Sequence, residues 1–229
     1  MRESCSQKLP MNVIPFRPRP EQEPLAFAIG ARVDLRVGAL AAGVVRPRGE
    51  PREAFAFSTL ARMLRGARMA WLERGLHAPL TLAVSGDVHA DLEADALSEA
   101  AIEAGCTRRG LSFELCERRI VSDGPALAEE LRARGWNVAL RADPDCPLPF
   151  GARARALYAE LVIEAPADTD PFLAMPDGDR SPLGRRLLAA KGAGLIITAE
   201  SVRSTAHART LAIAGFDRGG GRFAEAGLR

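Results

Sequence analysis

The stretch LTLAVSGDVHADLEADALSEAAIEAGCTRRGLSFELCERRI, residues 80–120, carries two strand signals on either side of a helical one. Leu80–Val84 and Leu111–Leu115 are short β-forming runs. Between them lies an Ala/Leu/Glu segment in which Leu92, Ala96 and Ala100 stand four apart, an apolar stripe at helical spacing. Gly105 follows that segment, where a left-handed residue ends a helix at little cost. Strand, helix and return strand in this order read as one β-α-β unit.

The same rhythm extends in both directions. Asn137–Leu140, Glu160–Ile163 and Leu195–Thr198 are further strand candidates, separated by Ala/Leu/Arg segments with helical spacing. Gly135, Gly194 and Gly215 again follow helical segments. Ser181-Pro182 sets a capping hydroxyl before a first-turn proline, and Gly124-Pro125 repeats the pattern with glycine as the cap. Upstream, Leu25–Leu35 and Ala39–Val45 read as a hairpin turning at Arg36-Val37-Gly38. Strand centres recur at roughly 24 to 34 residues, the length of a β-strand, helix and return. Both an open doubly wound sheet and a closed barrel satisfy this. No G-x-G-x-x-G follows a strand, no P-loop is present, and Gly219-Gly220-Gly221 comes too late to open a helix. The expectation is therefore an α/β chain folded as a (β/α)8-like, TIM-type barrel over residues 25–229. Residues 1–24, with five prolines and no regular period, are expected to form a flexible N-terminal arm.

Composition narrows the function classes. The 229 residues are 47% apolar, ample for a core, and the net charge of +2 does not demand a polyanionic partner. Aromatic residues are few and not interleaved with basic ones, which argues against nucleic acid. No apolar run reaches the ~20 residues of a membrane span. Cys5, Cys106, Cys116 and Cys146 form no C-x-x-C pair, and three histidines are available beside them. This pattern supports neither a metal module nor a disulfide framework and fits free thiols in a reducing cytoplasm.

In a parallel barrel, chemistry gathers at the carboxyl ends of the strands. The residues there are Arg46, Ser85, Asp87, Glu114, Glu117, Arg141, Asp143, Glu164, Glu200 and Asp217. Glu114 and Glu200 each follow an apolar run, so a half-buried mouth could hold them to bind a divalent cation or to act as acid and base. The other reading of the pair is that each is neutralised by an arginine of this arginine-rich chain.

The order of these segments resembles a known family. Residues 80–120 are similar to the part of EAL domains, cyclic-di-GMP phosphodiesterases, that runs from an N-L-S turn to an F-E-I-T-E strand. GWNVALRADPDC is similar to G-x-x-I-A-L-D-D-F-G-T-G, and AELVIEAP to D-x-L-K-I-D. GAGLIITAESVRSTAHARTLAIAGFDRGGG resembles G-x-x-V-V-A-E-G-V-E-T, a helix and G-x-D-x-x-Q-G. VDLRVGALAAGVVRPRGE resembles the opening V-D-L-x-x-G-x-x-x-G-x-E-A-L-x-R. The series covers residues 25–229 in order, and it implies a barrel whose first strand is antiparallel to its neighbour.

The same resemblance implies a site, and the departures from it are many. In the family two metal ions, held by carboxylates and an asparagine, activate a water that attacks a phosphodiester. The signature glutamate falls on Ala42, the asparagine on Ser85, the two aspartates on Arg141 and Ala142, the lysine on Val162 and the last-loop glutamine on Gly220. A second glutamine, before V-D-L, falls on Gly30. Glu114, Glu117 and Glu200 remain as pocket remnants, with Arg46 at the substrate-contacting arginine; Arg46 and Arg141 are the candidate ligand-binding groups. A fixed guanidinium where a cation should bind adds repulsion, so the expectation is no metal, no cofactor and no hydrolysis. The expected function is a regulatory protein-interaction module in bacterial cyclic-di-GMP-related signalling, with an unidentified protein partner. A non-hydrolysing cyclic-di-GMP receptor is the alternative.

Overall fold

Strand β4 (Leu111–Cys116) shows how the chain divides its residues. Side chains alternate across a strand, and here Leu111, Phe113 and Leu115 face one way while Ser112, Glu114 and Cys116 face the other. The ring of Phe113 meets that of Trp136 edge-on at 5.6 Å, and Trp136 Nε1 donates to Ser98 Oγ at 2.9 Å. Ser98 lies on helix α3 (Ala94–Glu103), so the apolar row faces the helical layer and Glu114 faces the barrel axis. Burial of each such Leu or Phe contributes about 1.5–3 kcal/mol, which makes the sheet–helix interface the main source of stability.

The computed structural model describes residues 27–84, 86–145, 147, 150, 152–166 and 182–226. The expected arm at residues 1–24 and Ser181 lie outside them. An antiparallel hairpin, β1 (Phe27–Asp34) and β2 (Leu40–Pro47), opens the barrel. Its turn is held by Asp34 Oδ1, which accepts from the backbone N–H groups of Arg36 and Val37, and by Gly38 at φ 71°. Then follow α1 (Pro51–Ala54), α2 (Phe57–Glu73), β3 (Leu80–Ala83), α3 and β4. They are succeeded by α4 (Glu117–Asp123), α5 (Ala126–Ala133), β5 (Asn137–Arg141), α6 (Ala152–Leu157) and β6 (Glu160–Glu164). The last elements are α7 (Pro182–Gly192), β7 (Ile196–Glu200), α8 (Thr205–Ala214), β8 (Arg218–Gly220) and α9 (Arg222–Ala226). Strands β2 to β8 are parallel in sequence order, and β1 closes the barrel antiparallel to both β2 and β8. This is the expected α/β barrel with an antiparallel first strand.

Four local expectations are corrected. Gly124 does not cap α5; at φ 87° it ends α4, and Pro125 precedes α5. The buried face of α3 is Ala94, Leu97, Ser98, Ala100 and Ala101, so of the expected stripe Ala100 lies in it, while Leu92 precedes the helix and Ala96 is only partly buried. Arg218–Gly220 pairs as a strand on both edges although it contains no β-former. The glycine run, read as too late to open a helix, leads directly into α9. Gly105, Gly135, Gly194 and Gly215 all have positive φ after helices, as read.

A guanidinium at the barrel axis

Arg32 of β1 is fully buried, and its position follows from its neighbours. Arg32 lies opposite Ala42, the last pair before the β1–β2 ladder shifts register at Val33, and on the other edge it lies opposite Gly220. Both flanking residues are small, and the volume between them takes the arginine head. Ala42 and Gly220 are two of the positions where the resembled family carries a charged or amide side chain.

Three carboxylates converge on this guanidinium from β4, β6 and β7. Arg32 Nη2 donates to Glu114 Oε2 at 2.5 Å, Nε to Glu200 Oε1 at 2.7 Å and Nη1 to Glu160 Oε1 at 3.3 Å. The remaining oxygens are also taken. Arg141 Nη1 reaches Glu114 Oε1 at 3.2 Å, and Arg46 Nη2 reaches Glu200 Oε2 at 2.9 Å. Arg218 Nη1 reaches Glu160 Oε2 at 3.1 Å, and Thr198 Oγ1 donates to Glu160 Oε1 at 2.5 Å. Two glycines make room for the pairs. A Cβ at Gly220 would lie 2.9 Å from Glu200 Oε2, and one at Gly30 would lie 3.0 Å from Arg46 Nη1. Where branched apolar side chains usually fill a barrel of this class, this one encloses an ion-pair network.

The electrostatics follow. Burial by itself would push Glu114 up, but the charge and hydrogen bond of Arg32, with Arg141 and Arg46 behind it, hold its carboxyl below the usual range. Burial would likewise depress Arg32, and Glu114, Glu160 and Glu200 outweigh it, so the guanidinium sits above its ordinary value. Glu114 thus favours the anion, with an arginine donor on each of its oxygens. A two-metal centre does not fit these residues, since every oxygen of the three carboxylates already faces a guanidinium or a hydroxyl. Among the described residues no group of three or more His, Cys, Asp or Glu side chains is arranged to hold a metal ion.

Glu117 does not join this network. It opens α4, fully buried, where the Asp143 N–H donates to its Oε2 at 2.6 Å and Arg186 of α7 pairs with its Oε1. The Arg186 guanidinium lies 5.4 Å from the Phe150 ring centroid, and its buried Nε has no hydrogen-bond partner among the described residues. Arg118 clamps the same loop, with Nε 2.6 Å from Asp143 Oδ2 and Nη2 3.2 Å from Asp145. Burial, with Glu117 nearby, pushes the Tyr158 phenol up to about 12.

The structure therefore brings Glu114, Glu200, Arg46 and Arg141 together and sets Glu117 apart. Val162 is buried on β6, level with Thr198 and Arg141, and Ala142 follows β5; neither joins the ion pairs. Ser85 lies outside the described residues. Asp217, read as a carboxyl-end residue, instead precedes β8 and accepts from the Ile197 N–H at 2.9 Å, because Arg218–Gly220 is a strand. Sequence reasoning missed Arg32, Glu160, Thr198, Arg218 and Arg186. The available signal was Arg32 between the apolar Ala31 and Val33, and Glu160 opening an apolar strand.

The barrel is similar to solved structures. One is a complex of the PaMucR phosphodiesterase with c-di-GMP, at 14% identity and TM-score 0.63, covering 86% of this chain and 93% of that one. Another is Klebsiella pneumoniae BlrP1 in its calcium/c-di-GMP complex at pH 8.0, at 16% and 0.63, covering 87% of this chain and 55% of that one. A third is the EAL domain of Mycobacterium smegmatis DcpA, at 20% and 0.57, covering 86% and 88%. This chain thus spans nearly all of two of these chains and about half of BlrP1. The likeness is one of fold, that of an EAL-like domain. No family model and no curated protein matches the chain. No helix among the described residues is long and apolar enough to cross a membrane.

Proposed function

We propose that this EAL-like barrel does not hydrolyse cyclic-di-GMP and acts as a regulatory module of bacterial cyclic-di-GMP-related signalling, by binding another protein. The observation that carries the proposal is the position of Arg32. In the family the space between the carboxylates belongs to the metal ions that activate water. Here a guanidinium that keeps its proton at any relevant pH holds that space, tied to Glu114, Glu160 and Glu200. Displacing it for a metal ion would expose a buried cation to a second one, in surroundings that screen neither.

Glu114, Glu117 and Glu200 are, on this reading, pocket remnants kept for structure. Ala42, Ser85, Ala142, Val162 and Gly220 stand where the lost groups of the site would be. Non-catalytic EAL-like proteins include regulators that work through protein contacts. Met69 and Leu72 on α2 and Ile102 on α3 are exposed apolar side chains suited to such a contact.

One observation favours the receptor reading as runner-up. The side chains of Arg46 and Arg141 are 39% and 44% exposed at strand carboxyl ends, where they face solvent with one side and the carboxylates with the other. The test is calorimetric titration with cyclic-di-GMP in Mg²⁺, Mn²⁺ and Ca²⁺, followed by assay of the nucleotide for cleavage. The proposal expects no product and no affinity tighter than about 1 mM, a binding free energy weaker than about 4 kcal/mol. Tight binding without product, lost in Arg46→Ala and Arg141→Ala, establishes the receptor instead. Product formation that disappears in Glu114→Gln overturns both.

A further inference from the structure

At the amino-terminal end of the barrel, away from the ion-pair network, a cavity of about 330 Å³ opens between the end of α2, the end of α3 and the segment entering β3. Its lining contains three basic side chains, Arg68, His77 and Arg109, and no acidic one. The apolar wall includes Leu76 and the ring of Trp71, which is fixed by a hydrogen bond from Nε1 to the Ala78 carbonyl at 2.9 Å.

Arg68 is the informative residue. One turn earlier on α2, the exposed Arg65 is matched by the backbone and carboxylate of Glu103. Arg68 is half-buried, rests against Gly105, where a Cβ would come within 3.2 Å of its Nη1, and makes no hydrogen bond or ion pair with a described residue. Arginine is seldom taken from water without a partner, because the desolvated charge is costly. Burial also pushes the neighbouring Cys106 thiol up, more than the charge of Arg68 lowers it. The charge the lining offers is positive.

The geometry points to this cavity as a binding site for a small amphiphilic anion, an alkyl or aryl group carrying one carboxylate or phosphate. The apolar body lies on Trp71 and Leu76. The anionic head sits between Arg68 and Arg109, within the lining that also includes Thr107, whose Oγ1 accepts from the Gly110 N–H and keeps its own proton to donate. The volume is at the lower end of the range for ligand sites, which selects a small occupant. Nothing in this assignment depends on the state of the opposite end of the barrel.

The experiment titrates the full chain with octanoate and with octyl phosphate, using octanol and octyltrimethylammonium as uncharged and cationic controls. Two readouts are followed: Trp71 emission, with Trp71→Phe as the blank, and the rate of Cys106 alkylation by iodoacetamide, with Cys106→Ser as the blank. The expected result is saturable binding of at least one anion about tenfold tighter than octanol, slowed alkylation of Cys106, and a loss of about tenfold in each of Arg68→Gln and Arg109→Gln. The ratio of the two anions reports which head group the site prefers. The assignment fails if octanol or the cation binds as well as the anions, if neither variant changes the affinity, or if neither anion saturates below about 1 mM.

Discussion

Arg32 and Arg186 each deliver a guanidinium to a fully buried glutamate, one at the barrel axis and one between α4 and α7. They differ in how completely charge is matched. Around Arg32 every carboxylate oxygen has a donor, supplied by side chains on five different strands. Around Arg186 the partners come from a helix start and a loop, and one buried N–H has no acceptor among the described residues. A network shared among strands cannot lose its centre without uncovering several charges at once. A clamp between a helix and a loop uncovers one, and the loop can move to let water in. The first arrangement defines the barrel; the second positions the segment after β5.

Removing the centre is the severest way to break this comparison. Arg32→Met is expected to cost at least the ~3–5 kcal/mol of a broken buried pair, since three carboxylates lose their common partner. Denaturant unfolding at pH 7 measures it. The deficit should shrink toward pH 5, because carboxylates stripped of Arg32 gain protons more readily in the folded state. In the parent chain the sign is reversed. Glu114, held below its ordinary range, contributes stability that is present above about pH 4.5 and is lost as the pH falls further. An acid titration of the parent chain with no loss below that point would contradict the assignment.

Arg186→Met is expected to cost less, about 2–3 kcal/mol, because the Asp143 N–H still serves Glu117. If it matches Arg32→Met in equilibrium unfolding, the two clusters are not different in kind. Smaller again is Gly220→Ala, whose new Cβ would press on Glu200 Oε2; about 1–3 kcal/mol is expected for the displaced carboxylate. Gly30→Ala meets only the mobile end of Arg46 and should cost less than ~1 kcal/mol, so the pair of melting curves ranks rigid against yielding neighbours. The exposed Arg118 offers the lower bound, since Arg118→Ala should change stability by no more than ~1 kcal/mol.

Much of this architecture was legible in the residues, for a stated reason. The five internal strands are short apolar runs between helices that end on glycine, and each signal is local. The last strand was not legible, because Arg218–Gly220 owes its pairing to β7 and β1 rather than to its own side chains. The site divides in the same way. Glu114 and Glu200 drew notice because they end apolar runs, and arginine neutralisation was one of the two readings open to them. That one arginine serves both depended on register. Arg32 faces the axis by strand alternation and fits there because Ala42 and Gly220 flank it, a relation between the opening hairpin and a last strand far away in sequence. Glu160 gave only a weak signal, since a charged first residue of an apolar strand reads as solvated until the barrel closes around it.

Arg32 has one further consequence, for how the protein is made. A barrel whose inner charges are balanced by dissolved ions reaches its final state only where those ions are supplied, and it can be stripped by a chelator. Here the counter-ion is encoded in the chain, three residues from the first turn, and is delivered when β1 closes against β8. On the proposed function, the balance of interior charge is complete on chain closure and does not vary with the supply of divalent metal.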